Sequence, residues 1–346
     1  MKCLVQVRTA LLSPLATRCL AAGHRALSVC LVILLSITVR SQTHQSSAPL
    51  SNLPEARAAK AQKEDQSEPT FKVNVRLVNV FATVVDQHGA PVASLSKEKF
   101  SVLEDGQPQT ISVFGRESGL PLSIVVGIDT SLSTRGDLKL ELQSARRFAH
   151  EILRPVDGLS LYEFSEYVDQ LTPFTSDLKR IDEGIERIHL GSATALYDTL
   201  YLGSHALEKR QGRKVMVVIT DGGDTVSKVD YAEALRSAQQ AEAIVYSIII
   251  VPIENSAGRD TGGEHALIQI STDTGGKYYY ASSLPQLDKA FEQISDELRT
   301  QYLLGYYPTR KISDSDFRRI EVQVKGADTA GLTVRHRTGY YTTKSE

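Results

Sequence analysis

The chain has 346 residues, with 39 Lys and Arg against 41 Asp and Glu, giving a formal charge of −2. Hydrophobic residues at 41% and charged residues at 23% are ordinary for a folded protein, and the length suits one large domain or two of usual size. The near-neutral balance argues against a nucleic-acid binder, which needs a basic face to neutralise phosphates.

All three cysteines, Cys3, Cys19 and Cys30, fall at the start of the chain, where Lys2, Arg8, Arg18 and Arg25 precede an apolar run from Ala26 to Val39. A basic stretch followed by about fourteen apolar residues reads as a secretory signal, short for a membrane span. Val39 and Ser41 fit the small-residue cleavage rule, with the cut between Ser41 and Gln42; the alternative is an uncleaved anchor. Removing residues 1–41 takes away five basic residues and no acidic one, leaving 34 basic and 41 acidic residues, a formal charge of −7 and no cysteine. The expected location is exported, periplasmic or secreted. Thiol catalysis, iron–sulfur clusters and thiolate zinc sites are excluded for such a chain.

Residues 42–69 are rich in Gln, Ser, Ala, Glu and Lys, and read as a disordered spacer. Residues 70–118 switch to short strands: Val73, Val75 and Leu77 alternate with polar residues, and Val80–Val85, Phe100–Leu103 and Thr110–Phe114 follow. Asp86–Pro91 and Glu104-Asp105-Gly106 are the turns between them. About four antiparallel strands are too few to close a sandwich alone, so strands from elsewhere are needed.

Residues 119–298 alternate strands with helices. Leu122–Ile128, Leu159–Phe164, Val215–Ile219, Ile244–Val251 and Tyr278–Tyr280 read as strands, several of them apolar without alternation, as burial on both faces demands. Leu138 to Ile152, Leu178 to Ile188, Leu196 to Leu207, residues 230–242, a short stretch at Leu267 and Ile270, and Leu287 to Leu298 carry helical stripes. This alternation predicts an α/β domain with a doubly wound, mostly parallel sheet. Residues 299–346 return to strands at Tyr302–Tyr307, Arg319–Val324, Leu332–Arg335 and Gly339–Tyr341. The simplest architecture pairs the two terminal β segments into one small antiparallel β-sandwich, with the α/β domain inserted between them.

Open α/β sheets bind ligands beyond the carboxyl ends of their strands. There the first inserted strand ends in Asp129-Thr130-Ser131-Leu132-Ser133, the strand at 215–219 ends in Thr220-Asp221-Gly222-Gly223-Asp224, and Gly191-Ser192-Ala193-Thr194 enters a helix. Singly, the two serines could be helix caps and Asp221-Gly222 a turn. Together, the Asp-x-Ser-x-Ser run, the later Thr and the Asp after a buried strand resemble the metal-ion-dependent adhesion site (MIDAS) of von Willebrand factor A and integrin inserted domains. The flanking Phe100–Gly106 and Gln301–Pro308 segments resemble those of exported bacterial proteins described only as von Willebrand factor A-related.

The resemblance implies a metal held by Asp129, Ser131, Ser133, Thr194 and Asp221, and a partner protein or peptide whose Asp or Glu completes the coordination. It also implies a final helix, Phe291 to Leu298, that moves with coordination. Hard hydroxyl and carboxylate oxygens suit Mg²⁺, or Mn²⁺ or Ca²⁺. The expected function is thus an exported, metal-dependent protein-binding module and not an enzyme. The alternatives are a metal-dependent hydrolase or phosphoryl-transfer enzyme and a structural envelope component. Neither a Walker loop nor Gly-x-Ser-x-Gly is present. Asp198 and Asp224 read as loop or cap residues. The histidines, at no metal-binding spacing, read as surface or capping groups, and the tyrosines at 278–280, 302, 306, 307, 340 and 341 as half-buried packing.

Overall fold

A computed structural model describes residues 77–116, 119–132, 138–251, 261–310, 317–326 and 329–342. The expected signal, the spacer and the strand residues before Leu77 lie outside these. Among the described residues, no helix is long and apolar enough to cross a membrane.

The inserted domain is built on six strands: β5 (Leu122–Asp129), β6 (Gly158–Phe164), β7 (Val168–Thr175), β8 (Arg213–Thr220), β9 (Ala243–Ile250) and β10 (Tyr278–Ala281). Their order is β10-β9-β8-β5-β6-β7, and every pairing is parallel except β6 with β7. The central strands β5 and β9 are buried at every position, so their unbroken apolar runs follow from having helices on both sides.

Helices α1 (Leu138–Ile152), α2 (Leu178–Ile185) and α6 (Leu284–Thr300) cover one face of the sheet. On that face Phe148 of α1 stacks on Phe291 of α6 with ring centroids 4.6 Å apart. Helices α3 (Leu196–Glu208), α4 (Tyr231–Gln240) and α5 (Thr261–Thr274) cover the other face through Leu196, Leu200, Ala234, Ala238, Leu267 and Ile270. The expected doubly wound α/β sheet is therefore present. Two elements differ from expectation. Strand β7 has no counterpart in the pattern, because it is an edge strand in which Pro173 and the exposed Asp169 and Gln170 break up the apolar residues. Helix α5 is longer than its short apolar stripe suggests, because its first turn is Thr261-Gly262-Gly263.

The terminal segments interleave as the strand pattern predicts. One sheet has the order β13-β1-β11-β4, from β1 (Val78–Val85), β4 (Ile111–Arg116), β11 (Tyr302–Tyr306) and β13 (Thr333–Arg335). The other has the order β14-β12-β2-β3, from β2 (Phe100–Glu104), β3 (Gln107–Gln109), β12 (Phe317–Val324) and β14 (Gly339–Tyr341). Each sheet joins chain ends: Val80 lies opposite Leu304, and Val102 opposite Val322. The two sheets share one apolar core containing Val80, Phe100, Tyr302 and Ile320. The β2–β3 connection is the expected tight turn, with Asp105 at φ 47° and Gly106 at φ 78°, a left-handed pair that glycine adopts without strain.

A polar group sits inside this sandwich. Glu104, 2% exposed, accepts from Tyr306 Oη at 2.8 Å and Tyr340 Oη at 2.9 Å, and pairs with Arg318 Nη1 at 2.8 Å. The chain after β13 ties the sandwich to the inserted domain. Thr338 N–H donates to the Asp273 carbonyl at 2.9 Å, and Arg335 pairs with Glu297 of α6 at 2.6 Å. Of the eight noted tyrosines Tyr341 is half-buried as expected, Tyr279, Tyr302, Tyr306 and Tyr340 are buried more deeply, and Tyr278, Tyr280 and Tyr307 are exposed. His336 departs from the surface expectation: it is half-buried, its Nε2 accepts from Val322 N–H at 3.1 Å, and burial pulls its pKa down.

Candidate metal centre

Strand β5 carries Asp129 at its carboxyl end, where the side chain is fully buried. Both carboxylate oxygens are held: Oδ1 accepts from Ser131 N–H at 2.8 Å and Oδ2 from Thr220 Oγ1 at 2.6 Å. The first bond folds the chain back tightly after the strand, an Asx turn that buries Ser131 beside Asp129. The second joins β5 to the neighbouring β8, whose next residue is Asp221. Ser133 lies outside the described residues.

Burial, with a smaller contribution from the charge of Asp221, raises the Asp129 carboxyl to about 6 in spite of the Thr220 and Ser131 hydrogen bonds that lower it. Two carboxylates that disfavour each other's charge are a setting in which a cation is welcome.

Main-chain bonds hold the remaining loops in the same layer. Gly191 N–H donates to the Thr130 carbonyl at 2.8 Å, and Ala195 N–H to the Ser165 carbonyl at 2.7 Å, which brings the stretch containing Thr194 to the carboxyl edge of β5 and β6. Thr194, buried, is fixed in turn by Thr225: its N–H donates to Thr225 Oγ1 at 2.9 Å, and its carbonyl accepts from Thr225 N–H at 2.8 Å. Helix α3 begins at the next residue but one without a capping side chain of its own. Its free N–H groups are met from across the loop layer: Tyr197 N–H donates to Asp224 Oδ1 at 3.2 Å and Asp198 N–H to Ser227 Oγ at 2.9 Å. Asp198 itself accepts from Lys228 and Val229 N–H at 2.9 and 3.0 Å. Asp224 thus acts as a helix cap, and Asp198 stitches two loops together.

The loop after Asp221 is pressed against α5. A Cβ on Gly263 would sit 2.1 Å from the Gly223 Cα, so the first turn of α5 reaches this loop only because residue 263 is glycine. Among the described residues, no three His, Cys, Asp or Glu side chains cluster as a metal site would need. A cation at this place therefore depends on hydroxyl and carboxylate oxygens together. The donor set fits that demand: Asp129, Ser131, Thr194 and Asp221 all offer hard oxygens, suited to Mg²⁺, Mn²⁺ or Ca²⁺.

A family model, the von Willebrand factor type A domain, matches residues 124–223. Residues 124–223 are thus similar to the von Willebrand factor type A domain family. The matched stretch runs from within β5 to the loop after β8 and contains all five expected ligands. Solved structures similar to this chain include a von Willebrand factor type A protein from Catenulispora acidiphila, at 12% identity over 80% of this chain and 76% of that one, with a TM-score of 0.45. Another is an aerotolerance-related membrane protein from Bacteroides fragilis, at 19% identity over 51% of this chain and 98% of that one, with a TM-score of 0.42. The von Willebrand domain of the type V pili tip protein Mfa5 from Porphyromonas gingivalis is similar at 14% identity over 51% and 94%, with a TM-score of 0.42. No curated protein matches the chain.

Two supporting residues of this site were not legible as such. Thr220 looks like the last residue of a strand and Thr225 like a loop residue, and only the fold shows that one holds Asp129 and the other Thr194. Groups that orient ligands usually matter almost as much as the ligands. Thr220→Val should lower divalent-cation affinity about 10–100-fold, with Thr220→Ser restoring most of it. The readout is the Mg²⁺ concentration at the midpoint of the thermal-shift titration, and an unmoved midpoint in Thr220→Val would remove this role.

Proposed function

We propose that the chain is an exported interaction module in which a divalent cation, Mg²⁺ foremost, is held by Asp129, Ser131, Ser133, Thr194 and Asp221 and accepts an Asp or Glu of a partner protein. The von Willebrand factor type A match supports a protein-interaction role. The observation that carries the metal dependence is the fully buried Asp129, set with Ser131 and Asp221 at the carboxyl end of the central strands. Two carboxylates balance a divalent charge, and hydroxyls add oxygens without adding charge. Export rests on the basic and apolar character of residues 1–41 and on the absence of cysteine after them. The proposal contains no catalytic step.

The test is affinity capture from an envelope extract by the immobilised protein, in Mg²⁺ and in chelator, alongside Asp221→Ala. Partners retained in Mg²⁺, released by chelator and not captured by the variant support the proposal. Capture that is indifferent to both chelator and variant would refute it.

A further inference from the structure

The loop layer around the candidate metal centre carries more apolar surface than its packing explains. Leu132, directly after Ser131, is 59% exposed, and Tyr167, in the β6–β7 turn, is 74% exposed. Leu190 and Val226 are 44% and 45% exposed. These residues come from four separate segments, and hydrogen bonds tie each segment to the site. Ser165 N–H donates to the Tyr167 carbonyl at 2.9 Å, and Ser165 in turn holds Ala195. Leu190 precedes Gly191, which is bonded to Thr130, and Val226 N–H donates to the Thr194 carbonyl at 3.3 Å. Apolar side chains exposed singly are ordinary, but several gathered around a polar centre mark an interaction surface.

The charges on the Tyr167 side are acidic, whereas Lys228 on the Val226 side is an exposed cation. Glu166, beside Tyr167, is exposed and accepts from Ser192 N–H at 2.8 Å and Ser192 Oγ at 3.1 Å; those bonds pull its carboxyl down to about 2, so it stays ionised. Asp169 is exposed close by in β7. A polyacidic tract, or a surface of many anionic groups, would gain one carboxylate–cation contact and meet repulsion at the rim. A lone carboxylate with apolar neighbours meets no such conflict.

We infer that the partner segment is a protein stretch carrying a single Asp or Glu flanked by bulky apolar residues, the carboxylate going to the cation and the flanks to Leu132, Tyr167, Leu190 and Val226. This rests on the cation-dependent function proposed above and specifies its ligand.

The test uses three synthetic nine-residue peptides, titrated into the purified protein in Mg²⁺ and in chelator and followed by NMR shift perturbation. One has a single glutamate between phenylalanine and leucine, one a single glutamate between serines, and one a run of glutamates. The apolar-flanked peptide should bind at least about tenfold more tightly than either other peptide, in Mg²⁺ only. In the double variant Leu132→Ser/Val226→Ser that preference should shrink to within about threefold, while the thermal shift caused by Mg²⁺ persists. Equal affinity for the apolar-flanked and serine-flanked peptides, or a preference unchanged in the double variant, overturns the inference while leaving the metal site standing. Binding of every peptide that ignores chelator, together with no Mg²⁺ thermal shift, overturns the proposed function and this inference with it.

Discussion

Replacing Glu104 by alanine should destabilise the β-sandwich by about 3–5 kcal/mol, because it removes one partner of a buried ion pair and leaves the other in place. Arg318 is fully buried and would lose the carboxylate 2.8 Å away, while Tyr306 and Tyr340 would both lose their acceptor. In the wild type burial, and then the Glu104 carboxylate, raise the pKa of both phenols, so both remain neutral donors to that carboxylate. The effect should not be read as the value of the pair itself. Glu104→Leu combined with Arg318→Met should recover most of the loss, since removing both partners leaves no stranded charge. Urea unfolding followed by the near-ultraviolet signal of the tyrosines would measure both. A cost below about 1 kcal/mol for Glu104→Ala would contradict the buried position of this group.

Much of the fold is legible along the chain, for a physical reason. Strands β5 and β9 are buried on both faces, so their composition is close to purely apolar and announces a central position. The sandwich is legible too, because four strands at one end and four at the other each lack a partner sheet. What stays hidden is set by tertiary contact. Strand β7 is an edge strand broken up by Pro173 and the exposed Asp169 and Gln170, and β3 has three residues. Arg318 in a strand reads as a surface residue, and Glu104 alone reads as part of a turn, yet each is buried because of the other.

The candidate site divides in the same way. Asp129, Ser131, Thr194 and Asp221 are visible in sequence because they stand at strand ends and helix entries and together resemble the metal-ion-dependent adhesion site. Thr220 and Thr225 are not, because their roles lie in bonds to residues 91 and 31 positions away. Asp224 and Ser227 cap a helix that starts before them in the chain, an arrangement that no local pattern encodes.

The second large effect is an inversion of stability. In chelator, Asp129→Asn should be more stable than the wild type by about 1–3 kcal/mol, because it removes a buried charge that faces Asp221. The amide keeps an acceptor for Ser131 N–H, and the Thr220 hydroxyl can turn to accept from the new amino group. In Mg²⁺ at 1,000 times its dissociation constant, the wild type should gain about 4.1 kcal/mol by linkage, while the variant gains nothing. The ranking of the two proteins should therefore reverse between chelator and Mg²⁺ in thermal unfolding. A variant less stable in chelator, or stabilised by Mg²⁺ as much as the wild type, would mean that Asp129 is a structural cap and no ligand.

The most direct measurement is a calorimetric titration of the purified protein with Mg²⁺, beside Asp129→Ala and Asp221→Ala. The proposed site predicts one ion bound per chain in the wild type and none at that site in either variant. No binding in the wild type, or the same stoichiometry and affinity in both variants, would contradict a metal centre built on these residues.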